Sequence, residues 1–68
     1  MVDMELLAKT IEDSGMTFTA VALKSGIVRE TLYNRFNGIG EFTVSQVEGL
    51  TYALKLTREE RDNIFFAE

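Results

Sequence analysis

A chain of 68 residues with neither cysteine nor histidine must be held together by side-chain packing alone. A domain this short buries only about 60% of the surface its unfolded chain exposes, and small folds usually add a disulfide, a structural metal or a partner subunit. Without Cys there is no disulfide and no thiolate metal site, and without His there is no imidazole ligand or imidazole catalysis. What remains is one domain over 1–68, supported by compact helix packing or by oligomerisation. The 46% hydrophobic and 26% charged shares are those of a folding chain rather than a disordered one. No apolar run approaches the ~18 residues of a membrane span. The opening Met1-Val2-Asp3-Met4-Glu5 is acidic where a signal peptide is basic, so the expected location is cytoplasmic.

Every apolar pattern has helical spacing, and no proline interrupts it. Met4, Leu7, Ala8 and Ile11 form one stripe at i, i+3, i+4, i+7, which predicts helix 1 over about 4–14. Asp3 can cap its start and Gly15 can end it. Thr17 can cap helix 2, about 18–24, whose inward positions are Phe18, Val21, Ala22 and Ser25. Gly26 follows where the chain must turn sharply and a side chain would be strained. Helix 3, about 28–36, points Ile27, Leu32 and Phe36 inward, and Asn37-Gly38 signals its end. Thr43-Val44-Ser45-Gln46 and Thr57-Arg58-Glu59-Glu60 are capping boxes that open helices 4 and 5. Helix 4 carries Val47, Leu50 and Leu54, and helix 5 carries Ile64, Phe65 and Phe66. The expected fold class is therefore all-α, a compact five-helix bundle without strands.

The informative stretch is 17–38. Two short helices meet at a glycine turn, and the second displays Arg29, Glu30, Tyr33, Asn34 and Asn37 as one polar stripe. This is the pattern of a helix-turn-helix, whose second helix enters the DNA major groove. The net charge of −4 is unusual for a nucleic-acid binder, but the charge is unevenly placed. Residues 16–40 hold Lys24, Arg29 and Arg35 against Glu30 alone and form the only net-positive part.

Thr17-x4-Ala22-x3-Gly26-Ile27-x3-Thr31-Leu32-x3-Phe36-Asn37-Gly38 resembles the helix-turn-helix of the lambda repressor and Cro family of bacterial and phage regulators. Glu41-Phe42-Thr43, Leu54-Lys55-Leu56-Thr57 and the Glu60-to-Phe66 ending extend the resemblance over nearly the whole chain, towards small phage-encoded Cro-like repressors. The resemblance implies a lambda repressor-like five-helix fold, transcription regulation through a palindromic double-stranded operator, and a homodimer at least on DNA. By position, it puts Arg29, Glu30, Tyr33 and Asn34 against the bases. Arg29 suits guanine, Glu30 cytosine N4, Asn34 adenine, and Tyr33 a thymine methyl or a phosphate. Thr17, Phe18 and Thr19 open helix 2, where amides can hold a phosphate. Lys24, Arg35, Asn37, Gly38 and Gly40 are further phosphate candidates.

This chain departs from the family's pattern at several positions. Val28 stands where a Ser or Thr cap is frequent, Phe18 where Gln is frequent, and Arg35 where an apolar residue is common. The Arg35 guanidinium is therefore expected to turn outward. Glu41 is acidic in a loop near the expected backbone. These departures predict weak non-specific affinity for DNA.

The apolar end of helix 5 supplies the expected dimer surface: Ile64, Phe65 and Phe66, with Phe66 favoured as the interface ring. The rival reading is a protein-interaction module of the same fold, an antitoxin or anti-repressor, which the acidic total favours. An enzyme is not expected, nor a cofactor, metal or small-molecule ligand. Gly38-Ile39-Gly40 lacks the third glycine and preceding strand of a nucleotide loop. Glu59-Glu60 is explained by capping and the helix dipole.

Overall fold

The computed structural model describes residues 1–68 as five helices and no strands. They are α1 (Met4–Ser14), α2 (Phe18–Ser25), α3 (Arg29–Phe36), α4 (Val44–Leu54) and α5 (Arg58–Phe65). The fold is all-α, 68% helical, with extents of 27 × 25 × 20 Å.

Four of the five helices start where a side chain satisfies a free amide. Asp3 Oδ1 accepts from Leu6 N at 2.9 Å, and Thr17 Oγ1 accepts from Ala20 N at 3.0 Å. Both capping boxes form: Thr43 with Gln46, and Thr57 with Glu60. Val28 offers α3 no side-chain cap. Gly26 ends α2 at φ 75°, a left-handed conformation that other residues adopt only with strain. Its amide and that of Ile27 close the last turn on Leu23 and Ala22 carbonyls. The chain thus leaves α2 and enters α3 within Gly26-Ile27-Val28. Lys55 ends α4 in the same left-handed region, at φ 53°, without being a glycine.

The core is Leu7, Ile11, Val21, Ala22, Ile27, Leu32, Leu50, Ile64 and Phe65. Three residues around it depart from the expected order. Ala8 is exposed despite its place in the α1 stripe, while Leu6 packs at the edge of the core. Ala53 of α4 is buried although it is too small to mark a stripe.

The most extensive helix pairing is α2 on α4, and Gly49 permits it. A Cβ at Gly49 would overlap the Ser25 carbonyl oxygen at the end of α2. The missing side chain therefore brings the two backbones together just before the Gly26 turn. At the other end of the molecule, Asp3 N donates to Ile64 O at 2.7 Å and ties the start of α1 to α5.

The dimer expectation for helix 5 needs correction. Ile64 and Phe65 are 1% and 4% exposed and belong to the core, so neither is free to meet a partner. Phe65 packs edge-on against Phe42, with ring centroids 5.5 Å apart. Only Phe66 is left outside, at 61% exposure.

Candidate nucleic-acid interface

Leu32 is fully buried and anchors α3 by one face. The opposite face carries Glu30 and Asn34, with Tyr33 and Asn37 on one flank, as the 100° step of a helix requires. Arg29, Glu30, Tyr33 and Asn37 are exposed, and Asn34 is half-buried. The four expected base-reading side chains are therefore brought together on one helix, and none of them is spent in the core. Arg29 lies nearest the α2 side of this face. Its Nε donates to Thr19 Oγ1 at 3.0 Å, and its Cζ stands 6.0 Å from the Phe18 ring centroid.

The expected backbone-contacting group divides. Thr17, Thr19 and Lys24 are exposed around α2. The amides of Phe18 and Thr19, the first two of the helix, have no acceptor within the chain and remain available to an anion. The Phe18 side chain does not fit the expected role. Its ring is half-buried and packs edge-on against Phe36 at 5.6 Å, so only its amide can reach a phosphate.

Arg35 and Gly38 are also corrected. The Arg35 guanidinium does not turn outward. Its Nη1 donates to the Ile39 carbonyl at 2.9 Å, and its Nε is buried without a partner. The group lies against Gly40, where a Cβ would overlap it. An outward path would leave the Ile39 carbonyl unpaired, whereas the inward path clamps the loop after α3. The Gly38 amide donates to Arg35 O at 3.2 Å and so completes the helix end instead of facing a ligand. The Gly40 amide and the Asn37 side chain remain unengaged.

Two features escape a reading based on polar stripes. Val28 is 70% exposed beside the start of α3, and Thr31 flanks the outer face opposite Tyr33. Together with Thr43, Ser45 and Gln46 they line a groove of about 260 Å³ between the α2–α3 turn and the start of α4. A valine carries no polar signal, and the groove exists only because α4 returns to the turn. A larger groove of about 410 Å³ lies on another side, over Val2, Phe42, Val47 and Phe65, bordered by exposed Val44 and Phe66.

The charges fit a surface that is open for contact. The ion pairs of the chain are Lys9–Asp13 and Arg61–Asp62, so no carboxylate neutralises Lys24 or Arg29. Glu60 accepts from Thr57 N at 2.8 Å, which accounts for it as a cap. No protein-family model matches the chain, and no curated protein or solved structure matches it either.

Proposed function

We propose that the chain is a transcriptional regulator that binds operator DNA as a two-fold dimer and represses by occluding a promoter. The observation that carries this reading is the outer face of α3, where Arg29, Glu30, Tyr33 and Asn34 stand together on a helix anchored by buried Leu32. These side chains have the donors and acceptors that distinguish bases in the major groove. The tight Gly26 turn and the α2–α4 crossing support the helix-turn-helix reading, because they hold α3 outward on a rigid base.

On this reading the α2 amides, Thr17, Thr19, Lys24, Asn37 and Gly40 contact the DNA backbone and fix register. One α3 spans too few base pairs to define a site, so a second copy is required. Exposed Phe66 and Val44, beside an apolar groove, support the end of α5 and the start of α4 as the surface between copies.

The test is selection from a random duplex library. A palindromic site is expected, and replacing Arg29 or Asn34 by Ala should each cost ~1–3 kcal/mol and relax preference at one position. Unchanged preference in both variants rules them out as the readers. The salt dependence provides a separate check. With Arg35 clamped on its own loop, Lys24 and Arg29 are the cations left in the motif. Arg29 is assigned to a base, so Lys24 alone neutralises a phosphate, and the slope of log affinity against log salt is expected to be about −1 per subunit. A slope that needs six or more phosphate contacts per subunit contradicts this interface.

The net charge of −4 favours one second reading, a protein partner for the same face, as for an antitoxin or anti-repressor. A folded chain that enriches no sequence from the library supports it.

A further inference from the structure

The Arg29 guanidinium is held from outside its own helix. Its Nε donates to Thr19 Oγ1, and its Cζ stands over the Phe18 ring, 6.0 Å from the centroid. That ring is itself fixed edge-on against Phe36. Both anchors lie in the first turn of α2, while Arg29 opens α3. No carboxylate competes for the group. An arginine normally loses much rotamer freedom when it engages a ligand. Here part of that loss has already occurred in the free protein.

We infer that Thr19 is a positioning residue for Arg29 and that this pair sets a guanine preference in the bound DNA. A guanidinium has five N–H donors. The bond to Thr19 takes the single donor on Nε and leaves the fork formed by Nη1 and Nη2. That fork matches the O6 and N7 acceptors of guanine. The side-on approach, which needs Nε, is closed. Adenine offers N7 but sets a donor at N6 against the fork. Thymine offers one acceptor, and cytosine offers a donor. A residue of α2 thereby determines which base α3 reads, without touching a base itself. The inference rests on the DNA-binding reading and deepens it.

The experiment begins with the full chain and a site selected from a random duplex library. Each guanine of that site is then replaced in turn by 7-deazaguanine, which lacks the N7 acceptor. At one guanine per half-site the replacement should weaken wild-type binding about tenfold, the loss of half a bidentate pair. In Arg29→Ala that penalty should vanish, and in Thr19→Val it should fall to about threefold. Thr19→Ser keeps the hydroxyl and should restore the wild-type penalty. Thr19 is exposed, so the melting temperature of Thr19→Val should match that of the wild type, which excludes a folding defect.

An equal 7-deazaguanine penalty in wild type and Thr19→Val overturns the positioning role. So does a reduced penalty that Ser fails to restore. A selected site with no Arg29-dependent guanine overturns the inference and leaves DNA binding standing. If no sequence is enriched at all, both fall.

Discussion

Phe65→Ser is expected to leave the chain unfolded, and Phe66→Ser to leave it folded but monomeric. The two rings are adjacent in sequence and equal in chemistry, so burial alone separates them. Phe65 is 4% exposed, in contact with Phe42 and within the same cluster as Leu7, Leu50 and Ile64. Removing a buried phenyl ring costs ~3–5 kcal/mol through lost transfer energy and the cavity left behind. The serine hydroxyl adds ~1–3 kcal/mol if it is buried without a partner. A domain of 68 residues has a total stability of only roughly 3–10 kcal/mol. The loss consumes most or all of it.

Phe66 is 61% exposed, so its replacement should shift stability by less than ~0.5 kcal/mol. If a second copy covers that ring, the loss falls on association, at ~2 kcal/mol per subunit. Circular dichroism separates folded from unfolded, and sedimentation equilibrium separates monomer from dimer. A Phe66→Ser variant that dimerises as the wild type does removes Phe66 from the interface. A Phe65→Ser variant with native melting contradicts the core assignment.

Gly49→Ala is expected to lower stability by about 2 kcal/mol, against the direction that helix propensity dictates. In an exposed helix interior the same change is worth about 1 kcal/mol in favour of Ala. At Gly49 the new Cβ would meet the Ser25 carbonyl oxygen, a backbone atom in the last turn of α2. That atom cannot swing aside as a side-chain tip can, so α2 and α4 must separate. Overpacking of this kind costs ~1–3 kcal/mol, and a fixed backbone puts it at the upper end. The net loss lowers the melting temperature by about 10 °C in a domain of this size. The movement also displaces Ser25 just before the Gly26 turn, so operator affinity should fall with stability. A melting temperature equal to or above that of wild type excludes the close crossing.

The sequence by itself determined where the helices begin and how the turns are made. Those choices rest on groups three or four residues apart. Asp3 meets Leu6 N, Thr17 meets Ala20 N, and the Thr43–Gln46 and Thr57–Glu60 boxes close on themselves. The polar face of α3 was legible for the same reason, because a helix converts spacing into direction. Lys55 is an exception within reach of local chemistry: its left-handed conformation has no glycine to announce it, and the return of Leu56 N to Thr51 O holds it there.

Only the tertiary structure decided what depends on residues far apart in the chain. Neighbouring Phe65 and Phe66 differ because Phe42 and the core receive one ring and nothing receives the other. Gly49 resembles any helical glycine until Ser25 is placed against it. Arg29 gained its direction from Thr19, ten residues earlier. Local hydrogen bonds follow from covalent spacing and so can be read along the chain. Burial, close approach and cross-helix contacts depend on which surfaces meet, and that is settled only when all five helices pack at once.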